Sequence, residues 1–471
     1  MQVIADLQLH SRYSRAVSQQ MIIPRMYEWN LKKGIGLLAT GDWTHPLWLR
    51  ELKTNLEETG NGLLRLQRQV QNQLLQASGQ AEGILHFAQN DSVKDPLFLL
   101  SGEVSCIYSH NGKLRRNHIL MFAPRFEVVD KINAALVKRG CNLSSDGRPI
   151  LGLSSQQVCE VVWGVCEDVL LIPAHAWTPW FSVFGSMSGY DSLAECFGDY
   201  ANRIYAIETG LSSDPAMNWR VKELDTRTVI SCSDAHSGPK LMREATIYEI
   251  PEGEVSFAAI SSALKNYQRD TTKPYIAGTL EFYPEEGKYH FSGHRDCSIR
   301  WSPDEVKKNG LMCPVCGKTI TVGVADRVEK LAGRSVEELK LAKKQLGHFG
   351  VSAMYSQSQP HRSPYIMMVP LPEILAQAVG VAAFSQKVQN EYDKLVSHFG
   401  GEFSVLVKAP KEEIASLSGE KIAQGIDKVR QGDITIIPGY DGVFGTVSVW
   451  REEGKEEDKS VLTTKEQMSL F

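Results

Sequence analysis

Val3-Ile-Ala-Asp-Leu-Gln-Leu-His10 is a short apolar run that ends in ionisable side chains, and that form decides the fold. Six further runs share it, at residues 35–42, 97–106, 118–123, 170–177, 204–210 and 228–236, with helical patterns between them. Near-continuous apolar strands alternating with helices predict a parallel sheet covered on both faces. Polar groups gathered where the strands end predict a barrel whose site lies at that rim. The expected class is α/β, with a barrel over residues 1–285.

Outward from these runs, residues 46–75 read as one helical stretch. Residues 76–95, rich in Gln, Gly, Asn and Asp, read as a loop insertion. Residues 286–330 are polar, punctuated by glycine, and carry the clustered Cys297, Cys313 and Cys316. Ser335-Val-Glu-Glu338 is a capping box that opens a helix. Helical patterns recur at 372–380, 385–399 and 411–431, so residues 331–450 are expected to form a mostly helical C-terminal domain. Residues 402–408 read as a strand, and 434–437 and 443–450 as a hairpin around Pro438-Gly-Tyr-Asp-Gly442. Residues 451–471 open with a charged run and read as a flexible tail.

The 471 residues hold 51 Lys+Arg and 55 Asp+Glu, a net charge of −4. Whole-chain charge therefore gives no sign of a nucleic-acid partner. A content of 42% hydrophobic and 23% charged residues excludes a wholly disordered or collagen-like chain. The window nearest to a membrane span, residues 366–384, contains Pro370, Pro372, Glu373 and Gln377, which favours a buried loop and helix. Met1 leads straight into the first run, without a basic and apolar leader. Nine cysteines, an odd and sparse set, suit reduced thiols and a cytoplasmic location.

His10, Asp42, Glu103, His118, His175, Glu208, Asp234 and His236 stand at or beside the ends of different runs. Asp234 and His236 are two apart on an extended segment, so both face one side and can reach one metal cluster. Imidazole and carboxylate together suit Zn²⁺, Mn²⁺ or Fe²⁺. A lone His on a strand is ordinarily a core or surface residue; recurrence at the ends of separate runs is what argues for a metal site. Downstream, His294-Arg-Asp-Cys297 and Cys313-Pro-Val-Cys316 give H-x2-C…C-x2-C, a spacing that wraps one tetrahedral ion, with His290 as a competitor for His294. Four protein ligands leave no open position, so this zinc is expected to be structural.

Asp6-Leu-Gln-Leu-His10-Ser, Thr40-Gly-Asp42, Gly102-Glu-Val-Ser-Cys106, Pro173-Ala-His175, Glu208-Thr-Gly-Leu-Ser-Ser-Asp-Pro215 and Ser233-Asp-Ala-His236 resemble the polymerase-and-histidinol-phosphatase (PHP) superfamily, trinuclear phosphoesterases on a distorted (β/α)7 barrel. Within it, Ser11-Arg-Tyr-Ser-Arg-Ala-Val-Ser18, Thr279-Leu-Glu-Phe-Tyr-Pro-Glu-Glu-Gly-Lys-Tyr-His290 and Pro438-Gly-Tyr-Asp-Gly442 resemble the endonuclease Q family over about residues 1–450. That resemblance implies a repair enzyme that nicks DNA 5′ of uracil, hypoxanthine, xanthine or an abasic site. It implies a bridging carboxylate at Glu103, ligands at His118 and His175, and a final ligand pair at Asp234 and His236. Asp234, Glu103 and His10 are the implied catalytic set. Gln8 stands where the superfamily has a ligand His, and an amide oxygen binds Zn²⁺ far more weakly. Trp43 stands where it has another, with Asp42 beside it as a substitute. Asp6 takes an orienting role. Two or three divalent ions are implied, Zn²⁺ or alternatively Mn²⁺ or Mg²⁺.

Arg12, Arg15, Lys240 and Arg243 flank the first and last motifs as phosphate contacts, or else form a solvated basic face. Trp177, Trp180, Phe181 and Phe184 are candidates for a pocket that reads an extruded base, or else core. The chain ends Gln467-Met468-Ser469-Leu470-Phe471, which resembles the bacterial sliding-clamp-binding pentapeptide. The expectation is a monomeric, nucleoid-associated nuclease acting on damaged DNA and binding the clamp. The alternatives are a PHP phosphoesterase for small phosphate esters, and a catalytically impaired, clamp-associated DNA-binding scaffold, for which Gln8 is the best argument.

Overall fold

The computed structural model describes residues 1–78, 95–345, 351–450 and 462–463. The clamp-like pentapeptide and nearly all of the expected insertion lie outside these residues.

The strands of the first half are β1 (Gln2–Asp6), β2 (Leu37–Ala39), β3 (Leu56–Glu58), β4 (Leu64–Leu66), β5 (Leu97–His110), β6 (Lys113–Ala123), β7 (Leu170–Pro173), β8 (Ala206–Glu208), β9 (Thr228–Ile230), β10 (Ala245–Glu249) and β11 (Tyr275–Glu281). β1, β2 and β5 pair in parallel, as do β8 and β9. β5–β6, β6–β7, β1–β10 and β10–β11 are antiparallel. The sheet is therefore mixed, not parallel as the runs predict. The reason at β5–β6 is local. Asn111 and Gly112, both at positive φ (51° and 72°), form a two-residue turn that opposes His110 to Lys113. A parallel crossover needs a dozen or more residues.

Backbone hydrogen bonds beyond the strand ends continue the path. The Ala174 N–H donates to His118 O (3.1 Å), Ala176 N–H to Glu208 O (3.0 Å), and His10 N–H to Ala235 O (3.0 Å). One buried apolar cluster draws Ala5, Leu37, Leu99, Leu120, Ile172, Ala206, Ile230 and Tyr248 from eight strands. This α/β arrangement is consistent with a distorted PHP-type barrel.

The stretch 46–75 is not one helix. Helices Pro46–Asn55 and Arg68–Ser78 flank the β3–β4 hairpin, whose turn uses Gly60 and Gly62 at positive φ. Beyond the first half, the short hairpin β12 (Ser292–His294) and β13 (Ile299–Trp301) carries part of the cysteine cluster. β14 (Leu341–Gln345), β15 (Ser352–Ser356) and β16 (Tyr365–Met367) extend the main sheet outward from β11. The capping box at Ser335 forms as read, on the short helix Val336–Leu339.

A helical region follows: Leu371–Val379, Gln386–Phe399, Glu402–Val407, Lys411–Ser418 and Glu420–Gln431. The helix Glu402–Val407 corrects the strand expected there. Phe403, Val405, Leu406 and Val407 are all buried, and such all-round packing overrides β-branched propensity. Gly400 and Gly401, at φ 76° and 124°, turn the chain from the preceding helix into it. The expected hairpin forms as β17 (Thr435–Ile437) with β18 (Thr446–Ser448). Among the described residues no helix is long and apolar enough to cross a membrane.

Candidate metal centre

Two groups of three ligand-type side chains meet where the strands end. His10, Asp234 and His236 form one; Glu103, His118 and His175 form the other. Within each, the ligand atoms lie within 4.8 Å of one another. The groups touch through His10 Nε2, which is 3.2 Å from Glu103 Oε2 and, within its own group, 3.3 Å from Asp234 Oδ1. Glu103 Oε1 lies 2.6 Å from His118 Nδ1 and 3.5 Å from His175 Nε2.

The local backbone is unusual at these positions. Asp42, His175 and Asp234 adopt left-handed conformations, φ 49°, 31° and 46°. Non-glycine residues held there cost free energy and cluster at functional sites. His175 is also enclosed by Gly210, where a Cβ would sit 2.4 Å from the His175 Cβ.

Around the two groups stands a shell of polar partners. Asp42 Oδ1 accepts from His10 Nδ1 (2.9 Å), which leaves Nε2 to face the other ligands. Asp42 Oδ2 accepts from the Ser11 N–H (2.6 Å), the Ser11 hydroxyl (2.7 Å) and the Ser14 hydroxyl (2.8 Å). Asp6 accepts from the backbone N–H groups of Ser233 (3.0 Å) and Met242 (2.9 Å), so it fixes the last motif's chain rather than a histidine. Gln8 donates to Glu103 Oε2 (2.8 Å), and Glu208 accepts from the His175 N–H (2.5 Å). Asp42 and Glu208 lie outside both three-residue groups; Gln8 has only its amide N–H committed, to Glu103. Trp43 is core, its N–H on the Met121 carbonyl at 3.3 Å.

The electrostatics favour a bound cation. Burial pushes the Glu103 carboxyl up, but Arg148 and His118 outweigh it and hold the group well below the usual range. Asp234 is likewise lowered: burial opposes ionisation, and the bond to His10 overcomes it. Burial lowers His118 to about 4, so its imidazole is neutral and free to ligate. Gln8 Oε1 and Glu208 Oε1 are buried without a hydrogen-bond donor. Ionised carboxylates, a neutral imidazole and partnerless buried oxygens form a donor set that fits divalent ions.

The flanking cations are mostly committed. Arg12 pairs with Glu51 (2.5 Å), and Lys240 with Glu373 (3.2 Å). Arg243 donates to the carbonyls of Ser233 (2.7 Å) and Asp234 (3.2 Å). Arg15 is exposed. Of the aromatic candidates, Trp177 and Phe184 are fully buried and pack on each other at 4.8 Å, whereas Trp180 and Phe181 are partly exposed. Phe181 lies 5.0 Å from the His118 ring. No motif marks Arg148, whose Nη1 lies 3.4 Å from both His10 Nε2 and Glu103 Oε1.

His294, Cys297, Cys313 and Cys316 converge as a separate four-ligand group. Burial raises the Cys313 thiol, but the Cys316 and Val315 N–H groups outweigh it and favour the thiolate. His290 stays outside, buried against Phe291.

The fold and site define an α/β protein with a strand-end constellation suited to more than one divalent ion and a second site suited to tetrahedral zinc. Residues 370–433 match the family described as the MJ0043 C-terminal domain. Uncharacterized protein MJ0043 of Methanocaldococcus jannaschii is 30% identical over 279 residues, 58% of this chain and 31% of that protein, so the chain spans under a third of that relative. The crystal structure of the lesion-specific endonuclease EndoQ from Pyrococcus furiosus is similar over 97% of this chain and 98% of its own, at TM-score 0.75 and 29% identity. Equal similarity, over 97% and 100%, holds for an endonuclease Q complexed with a 27-mer duplex carrying an abasic lesion at the active site.

Proposed function

We propose that this chain is a metal-dependent DNA-repair endonuclease of the endonuclease Q type, hydrolysing the phosphodiester 5′ of deaminated bases or abasic sites. The observation that carries it is the pair of three-ligand groups joined through Glu103 and His10, in a chain similar along nearly its whole length to a lesion-specific endonuclease. His10, Asp234 and His236 would hold one ion, and Glu103, His118 and His175 another. Such ions, when bound, lower the pKa of water and neutralise charge developing on a phosphate.

The protein's own groups do the rest. Asp42 keeps His10 in one tautomer. Asp6 and Arg243 fix the backbone that carries Asp234. Phe181, partly exposed beside His118, and Trp180, partly exposed and edge-on to Tyr289, are the aromatic surfaces available to an extruded base. The structural zinc would hold together a module that meets the C-terminal hairpin, where the Arg295 N–H donates to Asp441 (2.8 Å). We read the protein as a cytoplasmic, nucleoid-associated monomer whose C-terminal pentapeptide engages the sliding clamp. A small-ester phosphatase has no use for the zinc module or the helical region.

The test is incubation with labelled duplexes holding one uracil, hypoxanthine or abasic site, in Mg²⁺, Mn²⁺ or Zn²⁺. A nick 5′ of the lesion, absent on undamaged DNA and lost in Asp234→Ala, is expected. No nick in any metal, with Gln8→His restoring one, would favour the scaffold reading. Deleting residues 467–471 should abolish clamp capture and leave nicking of short duplexes intact.

A further inference from the structure

We propose that the end of the barrel opposite the metal centre holds a separate phosphate-binding site, built from Arg227, Arg269 and Arg362. The strands place it there. Asp234 and His236 follow the end of β9, whereas Arg227 and Thr228 stand at its start. β11 runs in the direction of β1, because both are antiparallel to β10, and β16 pairs with β11 in parallel. Arg269 precedes β11, and His361 and Arg362 precede β16, so all of these residues gather at strand starts.

A cavity of about 20 Å³ lies between them, lined by the three arginines and His361 and by no carboxylate. That volume holds roughly one water-sized group. One phosphate oxygen can enter it and a nucleobase cannot. Arg227, Arg269 and His361 are partly exposed, so the rest of such an anion can stay in water. Arg362 is committed to the frame: its Nη1 donates to Arg227 O (2.8 Å) and its Nη2 to Leu224 O (2.9 Å). Arg227 spends Nη1 on Thr226 O and Nη2 on Ala201 O (both 3.1 Å), yet its Nε is buried without a partner. Arg269 Nε is also buried without a partner, and the guanidinium lies 5.2 Å from the Tyr275 ring with no carboxylate paired to it among the described residues. The nearby acids are engaged elsewhere. Asp225 pairs with Arg334 as well as Arg362, Asp270 pairs with Lys273 (3.1 Å), and Glu223 accepts from the Leu193 N–H (2.8 Å). Burial lowers the pKa of all three guanidinium groups, that of Arg362 to about 10, which marks positive charge taken from water without full compensation. A phosphate oxygen supplies the acceptor that the two Nε atoms lack.

The loop that carries Arg269 is braced by Asn266, whose Nδ2 donates to Asp270 O (2.9 Å) and Pro274 O (3.0 Å) while its Oδ1 accepts from the Asp270 N–H (2.9 Å). Arg269 itself sits at φ 54°, where glycine is at ease and a side chain is not. Arg269→Gly therefore removes the guanidinium while relieving the backbone, so loss of binding in that variant does not come from a weakened fold.

Full-length protein is titrated with inorganic phosphate by calorimetry and melted with and without it. The metal centre can also take phosphate, so wild type is compared with Arg269→Gly. Without phosphate the variant should melt no lower than wild type. It should lose one bound phosphate, or bind it at least about tenfold more weakly, with Arg269→Lys intermediate. At a phosphate concentration about 100 times Kd, wild type should gain roughly 3 °C more in Tm than the variant. Nicking of lesion duplexes should be the same in both. Competition then separates the sources of the anion. Displacement of phosphate by an undamaged duplex assigns the site to a DNA backbone; displacement by deoxyadenosine 5′-monophosphate but not by duplex assigns it to free phosphates and monoesters. Equal phosphate stoichiometry, affinity and Tm gain in wild type and Arg269→Gly would overturn the proposal. So would nicking lost in step with phosphate binding, because the anion would then belong to the metal centre. The phosphate comparison holds whether or not the chain nicks DNA, so its failure and that of the nuclease reading are told apart.

Discussion

Lys33 and Glu402 form a fully buried ion pair, 1% and 2% exposed, between the end of helix Ile23–Lys33 and the helical region. Glu402 also accepts from the Tyr392 hydroxyl (2.8 Å) and the Leu371 N–H (3.0 Å). Gly34 and Gly401 let the two backbones meet there, since a Cβ on Gly401 would lie 3.0 Å from Gly34 Cα. Replacing Lys33 with Met strands a buried carboxylate, and removing one partner of such a pair costs roughly 3–5 kcal/mol. Replacing both, as Lys33→Met with Glu402→Gln, leaves a neutral amide that still accepts from Leu371, and the loss should fall to about 1 kcal/mol. With an unfolding entropy of about 2.1 cal/mol/K per residue, a chain of 471 residues loses roughly one degree of Tm per kcal/mol if it unfolds as one unit. Calorimetry should therefore find Lys33→Met lower by about 3–5 °C and the double variant within about 1 °C of wild type. If the two substitutions prove additive, or Lys33→Met is neutral, the pair does not fix the helical region as argued.

Asp42→Asn removes no member of either ligand group, yet barrel-ion affinity should fall about 10–100-fold, measured by competition with a chelating dye, because the carboxylate orients His10. His294→Ala should release the structural zinc and His290→Ala should retain it, read by metal analysis; the reverse would exchange their roles. Burial raises Glu281 from 4.5 to about 8. Its folded form therefore keeps a proton that the unfolded chain gives up above about 4.5, and this group's stabilisation declines as pH rises through that interval. The slope is at most ~1.4 kcal/mol per pH unit. Glu281→Gln should flatten denaturant midpoints between pH 5 and 8 by about that amount, and an unchanged slope would refute the assignment.

The positions of the apolar runs were legible because each strand is buried on both faces and so writes a continuous apolar signature. Their pairing was not. A buried strand has the same composition whether its neighbour runs parallel or antiparallel, and only Asn111-Gly112 marked the β5–β6 reversal. Residues 402–408 misled for a related reason. Val405, Leu406 and Val407 are apolar because helices enclose them, and that enclosure belongs to segments distant in sequence.

The six residues of the two barrel ligand groups were legible because chemistry confines a metal site to few residue types, and recurrence of those types at run ends is improbable in a plain core. What they do individually was less so. Asp42 and Asp234 are the same residue type, both at run ends and both at positive φ, yet one faces the ligands and the other faces His10 Nδ1. What separates the two cases is the second oxygen of Asp42, occupied by the Ser11 N–H and by the hydroxyls of Ser11 and Ser14. Arg148 lies in a turn with no apolar run, 138 residues from His10 in sequence. Its position depends on Gly147 touching Asp42 and Tyr13, a contact that composition does not encode. Residue type fixes what a side chain can do. Which of those things it does is set by the neighbours that claim its remaining atoms.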